Sequence, residues 1–379
     1  MVRQKWTQAW VCVFLFLSFS TAPVFAQTAL TNEGLVPQDA LNISADAAIL
    51  MDANTGHILY AKNAHKQRPP ASTTKILTAI LGLELGKPDE LVVVSEKAAA
   101  VGESTIHLDP GEKILLYELV TGAMVKSGND ACVAIAEQIA GTEEQFVRMM
   151  NQKAFLLGAL NTHFSNTNGL PHKEHLSTAY DLALMARYGM QIPAFSSITR
   201  LKETEIHFIQ PDFFMNLRNT NKLLWNYPYT DGVKTGTTNA AGKCLVAAAT
   251  KDNRQLISVV LHAPNRFGDS QRLLEWGFNE TETVTIAQAG ETFELTVEST
   301  EPVRAFVANP ISISVLKKDI DKLEKKIVWT REEILPVKAG EVIGTFEVWL
   351  NGVKLHSAPL IAENTVKPKG RFAKLLEGK

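Results

Sequence analysis

Three short clusters of this 379-residue chain carry the residue types that acyl-transfer chemistry needs. Ser72-Thr-Thr-Lys75 sets a hydroxyl and an amine three residues apart, which on a helix places them on one face. Ser127-Gly-Asn129 offers a second hydroxyl and an amide, and Lys234-Thr-Gly236 offers a second amine next to a hydroxyl. A serine hydroxyl is a weak nucleophile and needs a neighbouring base. A lysine serves if burial and a nearby positive charge keep part of it neutral. Lys234 can supply that second charge and also suits a substrate carboxylate. Pro69-Pro70 stop any earlier helix, so Ser72 is expected in a first turn, where free N–H groups and the helix dipole favour developing negative charge.

Each cluster alone is weak. Ser314-Val-Leu-Lys317 also has the first spacing and reads as a solvated stretch. The trio is more specific, because each cluster falls at the edge of a predicted element. Ile76, Leu77, Ile80, Leu81 and Leu83 recur at helical spacing behind Ser72. Ser127-Gly-Asn129 lies between predicted helices 115–125 and 130–140, the second ended by Gly141. Thr142 and Gln145 read as a capping box for the next helix, and 178–188 as another. Lys234-Thr-Gly236 opens a hairpin ahead of strands at 243–250 and 255–261. A further helix is expected at 270–276, closed by Gly277. Near the start, residues 47–52 and 57–60 read as a hairpin around Asn54-Thr-Gly56. The sum is an α/β arrangement of a sheet with a helical region attached. From about residue 283 to 363 alternating segments predict a smaller all-β domain, including a hairpin turned at Asn351-Gly352.

Pro70-Ala-Ser-Thr-Thr-Lys75, Ser127-Gly-Asn-Asp-Ala131 and Asp231-Gly-Val-Lys-Thr-Gly236 resemble the low-molecular-mass penicillin-binding proteins, the serine D-alanyl-D-alanine carboxypeptidases. Asn168-Gly-Leu-Pro171, Thr178-Ala-Tyr-Asp181 and Asn221-Lys-Leu-Leu-Trp225 fit their intervening segments. The resemblance covers roughly 40–282 closely and the β domain loosely. It implies a β-lactamase/transpeptidase-like antiparallel sheet with a helical region. It also implies roles: Ser72 attacks the carbonyl between two terminal D-alanines, Lys75 takes its proton, Ser127 relays a proton to the leaving D-alanine, and Asn129 holds the peptide amide. Lys234 and Thr235 would bind the terminal carboxylate, Gly236 and Thr237 would also line the substrate site, and the N–H groups of Ser72 and Thr237 would form the oxyanion hole. The partners implied are a peptidoglycan stem peptide and β-lactam inhibitors. A D-Ala-D-Ala endopeptidase, a class A β-lactamase and a non-catalytic wall-binding protein are the competing readings. Against the β-lactamase stand the missing E-x-x-L-N stretch between Ser127 and Lys234 and a middle motif of S-G-N rather than S-D-N.

Composition agrees with a globular enzyme: 45% hydrophobic, 21% charged, formal net charge −2. No basic excess points to nucleic acid. Arg3 and Lys5 precede the apolar run Ala9–Phe19, which Pro23 and the small residues up to Ala26 end. Residues 1–26 therefore read as an export signal, because the run of about 11 residues is too short for a bilayer that needs about 20. Residues 27–39 form a lead-in. No Cys/His spacing suggests a metal site, and no cofactor is expected. Cys132 and Cys244 are expected to stay unbonded, since in the resembling fold they flank opposite sides of the cleft. The basic tail 364–379 is expected to touch membranes weakly at most.

Overall fold

The computed structural model describes residues 34–296, 301–330 and 336–367. The expected export signal and most of the lead-in and the basic tail lie outside them. The first region is built on a five-stranded antiparallel sheet in the order Ile58–Lys62, Ala47–Asp52, Arg254–Leu261, Gly242–Lys251, Thr230–Thr238. Its three central strands are largely apolar because both faces are covered, whereas the edge strand Thr230–Thr238 is mostly polar. Ile49, Met51, Val246, Ala248, Ile257 and Val259 join the larger core against the helical region. The residues between them, Leu50, Leu245, Ala247, Leu256 and Val260, pack with Leu273 and Leu274 of the helix Arg266–Glu280. This period-2 division is what alternating side chains on a strand dictate.

The expected helices form as Lys75–Leu85, Leu116–Val125, Asn129–Ala140, Glu143–Leu156 and Ala179–Met190. Thr142 and Thr178 accept hydrogen bonds from the N–H groups of Gln145 and Asp181, as caps do. Gly141 ends its helix at φ +77°. Gly277 does not close its helix, which runs on to Glu280. A Cβ there would lie 2.6 Å from Leu256 and 2.7 Å from Leu50, so this glycine lets the helix settle onto the sheet.

A four-stranded sheet escaped the sequence reading: Leu91–Val93, Lys113–Leu115, Glu203–Gln210 and Phe213–Arg218. Two of its strands have three residues, too few to show a period.

The C-terminal region is all β. Five strands run in the order Thr292–Leu295, Val303–Phe306, Val353–Ala362, Val342–Leu350, Leu323–Trp329, beside the pair Thr281–Ala287 and Ile311–Leu316. Val303, Ile313, Val315, Phe346, Val348 and Leu360 form its own core. Asn351 and Gly352 both have positive φ, as the hairpin turn requires. The Ser314–Lys317 stretch is not solvated throughout: Ser314 is buried on the strand Ile311–Leu316. Its hydroxyl bonds those of Thr55 and Thr283, joining the two regions. Among the described residues no helix is long and apolar enough to cross a membrane.

Candidate active site

Ser72 sits in the tight turn Ala71–Thr74 that leads into the helix Lys75–Leu85. The hydroxyls of Thr73 and Thr74 donate to the carbonyls of Pro70 and Ala71 and brace the turn. Lys75, the first helical residue, is wholly buried, while Ser72 stays partly open. The Lys75 ammonium donates to Ser72 Oγ at 3.0 Å, Asn129 Oδ1 at 2.7 Å and the Asn168 carbonyl at 2.7 Å. Burial lowers its pKa to about 8, against the opposing pull of Cys132 and Asp130. An amine so placed can lose a proton at small cost and take one from Ser72.

Ser127 occupies the turn between two helices, at φ +73°, and Asn129 opens the second of them. Asn129 donates through Nδ2 to the Gly102 carbonyl, which leaves one amide hydrogen free for a ligand. The Ser127 hydroxyl, nearly buried, makes no hydrogen bond among the described residues. Asp130, next in sequence, had no role assigned. Its buried carboxylate accepts the N–H groups of Ile106 and Leu108 and so ties that loop to the Ser127 turn.

Lys234 lies on the strand Thr230–Thr238, which is an edge of its sheet, and is buried without a carboxylate partner among the described residues. Its ammonium donates to the Thr235 carbonyl at 3.2 Å. Burial, then the Lys75 and Arg266 charges, hold its pKa well below the usual range. The Thr235 hydroxyl meets that of Thr220 at 2.6 Å. Gly236 lets this strand press against the turn that carries Ser72, since a Cβ would lie 2.9 Å from the Ser72 nitrogen. Thr237, exposed at the rim, accepts from Arg266 Nη1 at 2.8 Å, and the same nitrogen donates to the Gly236 carbonyl.

The structure thus joins Ser72, Lys75 and Asn129 by direct hydrogen bonds and brings Gly236 against them. Sequence reasoning missed Asp130, Arg266 and the Asn168 carbonyl. The Asn168-Gly-Leu-Pro171 resemblance was the one pointer to the last. Cys132 and Cys244 are both free and buried, with burial raising their pKa values to about 12 and about 11. Among the described residues no cluster could hold a metal.

Residues 34–265 match the family described as D-alanyl-D-alanine carboxypeptidase, and residues 282–368 match the C-terminal domain of penicillin-binding protein 5. The chain belongs to the D-alanyl-D-alanine carboxypeptidase family. It is 36% identical over 361 residues to the D-alanyl-D-alanine carboxypeptidase DacF of Bacillus subtilis, covering 91% of this chain and 92% of the relative. It is 35% identical to the D-alanyl-D-alanine carboxypeptidase DacC of Escherichia coli, covering 96% and 92%. Penicillin-binding protein 5 of Haemophilus influenzae superposes with a TM-score of 0.78 at 31% identity, over 88% of this chain and 100% of that one. As a member of this carboxypeptidase family the protein is a serine-type D-Ala-D-Ala hydrolase of the cell wall. Both of its regions take the architecture of its relatives.

Proposed function

We propose that the protein removes the terminal D-alanine from peptidoglycan stem pentapeptides through an acyl-enzyme on Ser72. The observation that carries this reading is the contact of Ser72 Oγ with the buried Lys75 amine at 3.0 Å. Neutral Lys75 takes the hydroxyl proton as Oγ bonds to the carbonyl carbon of the penultimate D-alanine. The C–N bond to the terminal D-alanine then breaks, and its amine takes a proton passed through Ser127. Water cleaves the resulting ester and frees Ser72.

The N–H groups of Ser72 and Thr237 hold the oxyanion, a contribution often worth a hundredfold or more. The close approach allowed by Gly236 supports this pairing. Asn129 holds the substrate amide through its free amide hydrogen. Lys234 and Thr235 bind the terminal carboxylate. A buried ammonium with no carboxylate partner among the described residues supports that role, because an unpaired buried charge is costly and a ligand carboxylate relieves it. β-Lactams present a similar carboxylate and carbonyl and acylate Ser72. The substrate places the enzyme outside the cytoplasmic membrane, reached through the signal at residues 1–26, with at most weak contact of the basic tail to that membrane.

Intact-mass measurement after exposure to benzylpenicillin tests the assignment. The wild type should gain one covalent adduct and release D-alanine from a stem pentapeptide, whereas Ser72→Ala should do neither. An adduct on Ser72→Ala would refute it.

A further inference from the structure

His175 lies on the segment that follows the Asn168 loop and is not among the residues assigned a role above. Its ring is buried and packs edge-on against Phe164 at 5.4 Å. Nδ1 faces the Ser165 N–H at 3.0 Å and must accept from it. Nε2 faces the Thr74 hydroxyl at 2.8 Å. That hydroxyl spends its own proton on the Ala71 carbonyl at 2.8 Å, so Nε2 must donate. Both ends fix the same neutral tautomer. Burial first, then the charges of His163, His172 and Lys75, lower the His175 pKa to about 3, so the tautomer persists across the working pH range.

The chain of donors runs from Ser165 N–H to His175, from His175 to Thr74, and from Thr74 to the Ala71 carbonyl. It ends on a peptide unit of mechanistic weight. A planar trans peptide points its C=O and the next N–H in opposite directions. Orienting the Ala71 carbonyl therefore orients the Ser72 N–H, the proposed oxyanion donor. Ala71 needs such support, because its φ of +50° is a left-handed conformation that a residue with a Cβ disfavours. The other end of the chain holds the loop whose Asn168 carbonyl receives the Lys75 ammonium. The loop sits tightly here: at Gly169 a Cβ would lie 1.9 Å from the Ala71 oxygen.

We infer that His175 is a positioning residue of the active site, bridging the Asn168 loop to Thr74 so that the Ser72 N–H and the Lys75 amine keep their reactive geometry. The inference rests on the proposed roles of Ser72 and Lys75. It gives the side chain no contact with the substrate.

Stopped-flow acylation by a chromogenic β-lactam separates the non-covalent Kd from the acylation rate constant. His175→Ala should lower the rate constant about tenfold to a hundredfold, the scale of a small misplacement of reacting groups. It should change Kd less than about threefold, because binding contacts stay in place. The pH midpoint of acylation should move upward as water reaches Lys75 through the loosened loop. His175→Gln keeps a donor near the Nε2 position and should recover most of the rate. Thr74→Val should reproduce the His175→Ala defect, and Thr74→Ser should not. If His175→Ala does not fold, the Thr74 pair decides. Wild-type rate constant and pH midpoint in the folded variants, with only a lower Tm, would overturn the inference. Ser72→Ala run in parallel keeps the two ideas apart: an adduct there sinks the nucleophile assignment, while its absence alongside normal His175→Ala and Thr74→Val sinks only the positioning role.

Discussion

His57 Nδ1 accepts the backbone N–H of Ser314 at 3.0 Å, so an imidazole of the first region is seated on a strand of the second. The bond exists only while His57 is neutral at that nitrogen. Around it the wholly buried Asp52 carboxylate pairs with Arg254 at 2.8 Å and accepts from Thr283 at 2.8 Å. The junction is thus held by hydrogen bonds and an ion pair made by buried polar side chains.

Stability should fall on acidification through this junction. Burial, reinforced by His356 and Arg187 and opposed by Asp52, lowers the His57 pKa from 6.5 to about 4. The unfolded chain then binds a proton in a range where the native protein does not, so stability present above pH 6.5 is lost as pH falls towards about 4. The shift corresponds to a loss on the order of 3 kcal/mol. Tm measured from pH 7 to pH 4 should drop, and His57→Gln should flatten part of that slope. An unchanged slope would remove His57 from the account.

Acylation should accelerate with rising pH. Lys75 acts as a base only when neutral, and a pKa of about 8 leaves about a tenth of it neutral at pH 7. The acylation rate constant should climb roughly tenfold per unit below that point and level off above it. A profile flat between pH 6 and 9 would argue that another group takes the Ser72 proton.

Gly236→Ala should cripple the site without unfolding the protein. Its new methyl would sit 2.9 Å from the Ser72 nitrogen and 3.0 Å from the Pro70 oxygen, both backbone atoms that cannot rotate away. The strand and the Ser72 turn must separate, widening the proposed oxyanion hole. A loss on the order of a hundredfold in acylation rate is expected, with circular dichroism unchanged. Near-normal kinetics would show that the close approach is not needed.

Lys234 should be read out by the substrate's own charge. A pentapeptide amidated at its C-terminus should be cut much more slowly by the wild type. Lys234→Ala should slow the free acid strongly and the amide little further, because the partner carboxylate is already gone. Equal wild-type rates on acid and amide would remove the carboxylate role.

The sequence by itself determined which residues are candidates for the chemistry and the local elements that hold them. Side-chain type and spacing are local properties, so Ser72 with Lys75, the Ser127-Gly-Asn129 turn, Lys234 and the helices behind them could be read directly. The Asn351-Gly352 hairpin was legible for the same reason, since only a few residues tolerate positive φ at two successive positions. Tertiary structure decided what depends on distant neighbours. The Asn168 carbonyl that receives Lys75 is a backbone group and has no residue type to recognise. Arg266 reaches the Gly236 carbonyl and Thr237 from a helix that follows two strands later, and Asp130 acts through a loop more than twenty residues upstream. Gly277 looked like a helix stop and proved to be a packing contact, because nothing local reveals Leu50 and Leu256 pressing on it. Ser314 looked solvated for want of the Thr55, His57 and Thr283 groups that surround it. The lowered pKa of Lys75 belongs to this second class as well, since it comes chiefly from burial, which only the folded chain imposes.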